Sequence, residues 1–362
     1  MEVMPVMKTQ ELAPKLRIRN LKSVRRFLLC PLTVPTQALR AFRLPGLLCA
    51  CKRGHLDLNQ SSAILYGWQR YAFYTLLHRE ETSLHIALLL AAEVLAEEQR
   101  MAAQVFKVAT FNVNSVRMRL DLVTAWLQSE QPDVLCLQEI KVQDVDFPAD
   151  PFRNMGYHIV FRGQKAHAGV AIASKEEPRD VSSGLDDGGE PDPARLIRGT
   201  VNGIPIVNTY VPQGQSVDSS WFQYKLEWLA RLRRWFERHY SPNEPLIWVG
   251  DFNVAPEPMD VHDPKGLIKH ADFHPDARAA LQAIKDWGFV DVFRQHHPEP
   301  GQFTFWDYRV RDALERNIGW RVDHIWATRP LAARSARAWI DVEARRAEKP
   351  SDHTFLVAEF EL

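Results

Sequence analysis

The 362-residue sequence has no apolar run approaching the ~20 residues that a membrane-spanning helix requires. We therefore expect no membrane association. It has only four cysteines, and three of them (Cys30, Cys49 and Cys51) lie near the N-terminus. Because Cys136 is then the single cysteine of the longer C-terminal part, that part cannot form an internal disulfide and suits a reducing compartment. We expect a cytoplasmic protein.

The formal net charge is zero, but the charge is unevenly distributed along the chain. Residues 1–55 contain eleven Lys/Arg and two acidic residues, whereas the part from Met101 onward contains 31 basic and 37 acidic residues. Several prolines interrupt residues 1–60, which show no sustained apolar period. We therefore predict a basic, poorly ordered N-terminal extension over residues 1–100, arising from a targeting segment or an upstream translation start. Residues 101–362 are predicted to form the folded domain.

From Phe106 onward the apolar pattern predicts many short strands and a few helices. Helices are predicted around 120–127 and over 219–239 and 276–287. Strands are predicted over 105–113, 133–137, 169–173, 196–201, 204–211, 246–249, 320–328 and 354–360. This arrangement favours packed sheets with helices on the outside.

Polar side chains stand at the ends of several of these apolar strands, where a buried carboxylate costs several kcal/mol unless it is paired or binds a metal. The carboxylates are Glu139, Asp251, Asp323 and Asp352, accompanied by Asn112, Asn114, Asn253 and His353. Any one of them has a plain structural explanation, such as a cap. Together they predict an acidic, oxygen-rich pocket of the kind that hard divalent cations prefer. An Asp–His pair beside such a cation suits phosphoryl chemistry, because the cation and the imidazolium can both stabilise the negative charge that develops on a phosphate.

Six short segments carry a family resemblance: 111–117 (FNVNSVR), 137–141 (LQEIK), 210–214 (YVPQG), 250–253 (GDFN), 321–323 (RVD) and 351–353 (SDH). In this order, and over about residues 105–361, the sequence resembles the exonuclease III family of apurinic/apyrimidinic (AP) endonucleases. That family belongs to the endonuclease/exonuclease/phosphatase superfamily. The resemblance implies a nuclease domain over 101–362, folded as an α/β four-layer sandwich in which two mixed β-sheets pack face to face with flanking helices.

The resemblance also implies roles for individual residues. It places Mg²⁺, for which Mn²⁺ can substitute, among Asn112, Glu139, Asp251, Asn253, Asp352 and His353. It makes Tyr210, Asp251, Asn253, Asp323 and His353 catalytic. Asp251 would activate water, Asp323 would orient His353, and the Tyr210 phenol would donate to a phosphate oxygen. Asn114 stands where some members carry an acidic residue, so we expect one metal ion.

The segments 303–309 and 317–322 resemble the family stretch that lines the pocket for an abasic sugar. Phe305, Trp320 and Val322 would form its apolar wall. DNA contacts are predicted for Gln213, Arg117, Lys141 and Arg321. Because this part of the chain has a net charge of −6, basic residues must segregate to one face to bind phosphates.

The resemblance implies a monomeric, Mg²⁺-dependent enzyme that acts on double-stranded DNA with abasic sites or 3′ ends. It would cleave 5′ to abasic sites and act as a 3′→5′ exonuclease and 3′-phosphatase. Two other interpretations stay open at this point. One is a superfamily phosphatase or phospholipase acting on lipid or inositol headgroups. The other is a non-catalytic DNA-binding or scaffold protein.

Overall fold

The computed structural model describes residues 105–362. The predicted extension over residues 1–100 lies outside the described residues, as do Cys30, Cys49 and Cys51. Within residues 105–362, twelve strands form two six-stranded sheets. Each sheet has one parallel pair at its centre and antiparallel pairs elsewhere, so both are mixed, as predicted.

The first sheet has the strand order β11-β12-β1-β2-β4-β3. Its strands are β1 (Val105–Asn112), β2 (Val134–Gln138), β3 (His158–Gly163), β4 (Gly169–Ser174), β11 (Ser335–Asp341) and β12 (Phe355–Glu361). The second sheet has the order β5-β6-β7-β8-β10-β9. Its strands are β5 (Arg179–Ser183), β6 (Leu196–Val201), β7 (Ile204–Tyr210), β8 (Ile247–Asp251), β9 (Phe289–Asp291) and β10 (Asp323–Thr328).

Four helices cover the outer faces of the sheets: α1 (Leu120–Glu130), α2 (Asp150–Asn154), α3 (Ser220–His239) and α4 (Pro275–Lys285). Two short helices, α5 (Val292–His296) and α6 (Arg329–Ala332), pack instead against the core between the sheets. Helix α1 packs on the first sheet through Trp126 and Leu127, and α3 packs on the second through Trp228 and Leu232. The predicted four-layer α/β sandwich is confirmed. Among residues 105–362, no helix combines the length and apolarity needed to cross a membrane.

The core between the sheets follows from the period of two along each strand. Apolar side chains such as Val108, Cys136, Ile206, Val249 and Ile325 alternate toward the facing sheet and pack there. At the strand ends, the same alternation makes the next inward-facing positions polar. They are Asn112 on β1, Tyr210 on β7, Asp251 on β8 and Asp323 on β10. The register aligns the last three side by side, since Asp251 is the partner of both Tyr210 and Asp323.

Candidate active site

Three side chains that can bind a cation meet at this edge of the sandwich. One ligand atom from each of Glu139, Asp251 and His353 lies within 4.8 Å of the other two. Glu139 follows β2 of the first sheet, Asp251 ends β8 of the second, and His353 lies just before β12. Gly250 permits the close approach of β8 and β7 here, because a Cβ at its φ of +137° would lie 2.0 Å from the Thr209 carbonyl oxygen.

Asn112 joins the two carboxylates across the gap between the sheets. Its Nδ2 donates to Glu139 Oε1 and to Asp251 Oδ2, both at 2.8 Å. Its Oδ1 accepts from the backbone N–H of Asn114 at 3.0 Å. The amide therefore holds the carboxylates of the first and second sheets close together.

His353 forms the predicted pair with Asp323. Its Nδ1 donates to Asp323 Oδ2 at 2.8 Å, and its Nε2 lies 4.0 Å from Asp251 Oδ2. Burial alone lowers the pKa of His353, but the Asp323 and Asp251 carboxylates outweigh it and raise this pKa to about 10. The imidazole is therefore protonated at neutral pH and presents its Nε2–H toward Asp251.

The site carries an excess of negative charge. Burial raises the pKa of Asp251 well above its usual range, and the neighbouring Asp323 and Glu139 raise it further, against the opposing effect of His353. Lys141 compensates in part, because its Nζ lies 2.7 Å from Glu139 Oε2. Crowded carboxylate oxygens with one imidazole beside them fit a hard divalent cation, whose charge would neutralise the excess.

Asp352 is connected to this cluster through other side chains. Lys141 donates to Asn114 Oδ1 at 2.5 Å, and Asn114 Nδ2 donates to Asp352 Oδ1 at 2.9 Å. Asp352 is not one of the three residues whose ligand atoms meet. Lys141, predicted to contact DNA, is engaged within the site itself.

Asn253 and Tyr210 complete the second-sheet side of the site. The Asn253 backbone N–H donates to Asp251 Oδ1 at 2.8 Å, and its Nδ2 donates to the Val211 carbonyl at 2.9 Å. Burial and the charges of Glu139 and Asp251 raise the pKa of Tyr210 well above 10. The phenol therefore keeps its proton at neutral pH and can act as a donor.

Known proteins are similar to this chain over the part that forms the site. Residues 109–353 match the model of the "Endonuclease/Exonuclease/phosphatase family". The chain belongs to this family. An exodeoxyribonuclease III from Haemophilus influenzae is 34% identical over 266 residues, which are 70% of this chain and 99% of that protein. The resemblance that the motifs predicted is confirmed.

Solved structures of the family agree with the fold. An AP endonuclease from Archaeoglobus fulgidus is 52% identical, with a TM-score of 0.70, over 71% of this chain and all of that one. A 3′ phosphatase from Neisseria, solved with a product DNA hairpin, is 37% identical with a TM-score of 0.68, over the same shares.

The predicted aromatic wall lies beside the imidazole of this family site. Trp320 and Val322 are buried and pack with Val261, and Phe305 packs against them. The Phe305 ring centroid lies 4.8 Å from that of His353. Trp306, by contrast, is buried in a separate small core with Phe303.

The burial of Arg321 contradicts one of the predictions made from the sequence. It is fully buried, with its guanidinium 2.8 Å from Asp260 and 2.7 Å from Asp291. A side chain held in two buried ion pairs cannot reach a DNA phosphate, so the predicted DNA contact is wrong. Arg117 is exposed, and Gln213 donates to the Asp272 carboxylate at 3.1 Å.

Lys225 on α3 is a residue of the site that sequence reasoning missed. Its buried Nζ donates to the carbonyls of Gln213, Asn253 and Ala271, and it pairs with Asp272 at 2.8 Å. Burial lowers the pKa of Lys225, although Asp272 opposes the shift. The signal was present in the sequence, since Lys225 lies on the apolar stripe of α3, three residues before the buried Trp228.

Proposed function

We propose that this protein is a Mg²⁺-dependent DNA repair nuclease. It hydrolyses the phosphodiester 5′ to an abasic site, leaving a 3′-hydroxyl, and acts as a 3′→5′ exonuclease and 3′-phosphatase on double-stranded DNA. The observation that carries this proposal is the meeting of Glu139, Asp251 and the Asp323-paired His353 at the edge of two sheets, next to an apolar wall. The names of its relatives, an exodeoxyribonuclease III and AP endonucleases, support the same assignment.

The cation site is assigned to Mg²⁺, with Mn²⁺ as a substitute. Glu139 and Asp251 offer the central oxygen ligands, and Asn112, Asn253 and Asp352 surround them as further proposed ligands. His353 was also predicted to be a ligand, but a protonated Nε2 has no lone pair for an ion, so we assign this side chain to the phosphate instead. Bound there, the ion supplies Lewis-acid stabilisation of the negative charge that develops on the phosphate.

The remaining roles in catalysis are assigned to side chains of the protein. Asp251 accepts the proton of the attacking water, which Asn253 helps to hold in line. His353 donates from Nε2 to a phosphate oxygen, and the Asp323 carboxylate keeps the imidazole protonated and oriented. Tyr210 donates a second hydrogen bond to the phosphate. Each such donor is worth about 10²–10³ in rate, because it is already in place when the charge develops.

The substrate is assigned from the wall beside His353. A deoxyribose without a base would pack against the apolar surface of Phe305, Trp320 and Val322. An abasic nucleotide is also readily turned out of the helix because it has no stacking to lose. We assign further DNA contacts to Gln213, Arg117 and Lys141, and a monomeric, cytoplasmic state to the protein.

The test is cleavage of a duplex with one synthetic abasic site, labelled at the 5′ end of the damaged strand. We expect a single nick 5′ to the lesion that requires Mg²⁺, stops with EDTA and leaves an end that a DNA polymerase extends. The matched control is an undamaged duplex, which should lose nucleotides only from its 3′ ends and show no internal nick. A nick that persists in EDTA, or hydrolysis of a phosphoinositide in place of the duplex, would contradict the proposal.

A further inference from the structure

A pair of buried amides joins the two sheets directly behind the candidate site. Gln138 on β2 donates through Nε2 to Asn208 Oδ1 on β7, at 2.7 Å. Asn208 in turn donates through Nδ2 to two backbone carbonyls of the first sheet, those of Leu137 at 3.0 Å and Ala171 at 2.9 Å. Both amide side chains are fully buried.

Each partner of this amide pair stands next to a site residue in the chain. Gln138 immediately precedes Glu139, and Asn208 lies two residues before Tyr210 on the same face of β7. Gln138 also donates to Thr110 Oγ1 at 2.9 Å, and Thr110 lies two residues before Asn112. The amide pair therefore forms a polar layer between the apolar core of the sandwich and the site.

Stability alone does not explain the amide pair. The neighbouring contacts between the sheets are apolar, and the buried Oε1 of Gln138 has no hydrogen-bond partner among the described residues. An unpaired buried acceptor costs about 1–3 kcal/mol, and an apolar pair of the same shape would be about as stable. What hydrogen bonds add over apolar contacts is a fixed distance and direction.

We propose that Asn208 and Gln138 are positioning residues that set the separation of Glu139 from Asp251 and so the affinity of the site for its divalent cation. The inference rests on the proposed cation-dependent function. Glu139 and Asp251 belong to different sheets, so only contacts between sheets control their spacing, and ligand distances tolerate only about ±0.2 Å. Asn112 spans the same gap, but its partners are the carboxylates themselves. Their spacing therefore needs a support behind them.

The test compares Asn208→Leu and Gln138→Met, which both remove the Gln138–Asn208 bond with little change in size. Asn208→Leu also removes the two bonds to carbonyls of the first sheet. Thr328→Val is the matched control, since Thr328 is buried at the far end of β10, where its hydroxyl bonds the Glu244 carbonyl and the Leu246 N–H. Mn²⁺ binding to the full-length protein without DNA is measured by electron paramagnetic resonance, and the melting temperature is recorded for each variant.

We expect Mn²⁺ to bind about tenfold more weakly to both amide variants, the lower end of the range for groups that support metal ligands. The control should keep the affinity of the unmodified protein, even where its melting temperature falls as far. The double variant should bind no more weakly than Asn208→Leu alone, because that variant already removes the bond from Gln138.

Affinities within twofold of the unmodified protein in both amide variants would overturn the inference. If Asn208→Leu does not fold, Gln138→Met decides alone, since it leaves the bonds from Asn208 to the first sheet intact. If the unmodified protein binds no Mn²⁺, the proposed function fails and this inference with it. Binding that the variants leave unchanged refutes only the positioning role.

Discussion

Two buried clusters of charge lie close together in this domain and differ in their balance. The site cluster consists of Glu139, Asp251, Asp323, His353 and Lys141, and so has three carboxylates for one imidazolium and one ammonium group. The arginine cluster consists of Asp260, Asp291, Arg294 and Arg321. It has two guanidiniums for two carboxylates. Both clusters are largely buried, so solvent does little to screen either of them.

The pKa values of the carboxylates show what this difference means. Burial raises the pKa of Asp260 and Asp291, but Arg321 outweighs it, lowers the pKa of Asp260 and holds that of Asp291 at about 2. In the site cluster, burial and Asp323 act in the same direction and raise the pKa of Asp251. The arginine cluster is neutral by itself, because its two guanidiniums balance its two carboxylates. The site cluster remains short of positive charge, which a cation would supply.

The most direct test of the different roles of the two clusters is to replace one aspartate in each by asparagine. We expect Asp251→Asn to lower the rate on an abasic duplex at least about 10³-fold, or about 4 kcal/mol in activation free energy, because it removes the proton acceptor. Its melting temperature in EDTA should be unchanged or higher, since an uncompensated buried charge is lost. Asp291→Asn is the matched control and should show the reverse, with lost stability and a retained rate while folded. Near-normal turnover by Asp251→Asn would remove its catalytic role.

Breaking the arginine cluster should affect stability rather than chemistry. We expect Arg321→Leu to lower the free energy of unfolding by about 3–5 kcal/mol, because two buried carboxylates lose their partner. Urea denaturation measures this change. The exposed Arg309, changed to leucine, is the control and should stay within about 0.5 kcal/mol. If Arg321→Leu kept its stability and weakened DNA binding instead, Arg321 would be a DNA contact after all.

The two clusters should lose their contributions to the free energy of unfolding at opposite ends of the pH scale. His353 has its pKa raised to about 10, so its stabilisation is complete below the unfolded value of about 6.5 and is lost as pH rises through 10. Asp291 has its pKa lowered to about 2, so its stabilisation is present above about 3.9 and is lost as pH falls through 2. Unfolding free energies measured against pH in EDTA should show both limbs. Asp323→Asn should reduce the alkaline limb, because Asp323 makes the largest contribution to the raised pKa of His353, and should spare the acidic limb.

Metal binding should produce the smallest effect and only in the site cluster. At ten times its dissociation constant, Mg²⁺ should stabilise the protein by about 1.4 kcal/mol, because it binds the folded state alone. Thermal unfolding with and without Mg²⁺ measures this. Arg309→Leu should respond as the unmodified protein does, and Asp251→Asn should respond little. Equal stabilisation of Asp251→Asn would place the cation elsewhere.

The strands of the sandwich interior could be predicted from the sequence, and the strands at its margins could not. β1, β2, β4, β7 and β8 are fully or largely buried, and most of their residues are apolar. β3, β5 and β11 are partly exposed and mixed in composition, and β9 has only three residues. The predicted strand 320–328 begins only at Asp323, because Trp320 pairs instead with Phe305 and Val261.

The convergence of the site was predictable because its members end neighbouring strands on one inward face. The ion-pair partners of the buried charged residues were not predictable. Arg321 stands two residues before Asp323 and looks like part of the same motif, yet its partners Asp260 and Asp291 lie 61 and 30 residues away. Lys225 was missed for a related reason, since a helix pattern shows that a lysine faces inward without showing what receives its charge.

The backbone ties the apolar wall to the acid–base machinery. Phe305 forms bridge pairs with both Trp320 and His353, and the Trp306 N–H donates to the Asp352 carbonyl at 2.8 Å. Any group that displaces the backbone of Phe305 would therefore shift His353 as well, because the two residues are paired through their main chains. Contact with the apolar wall and the position of the imidazole are thus coupled by the backbone and not only by side-chain packing.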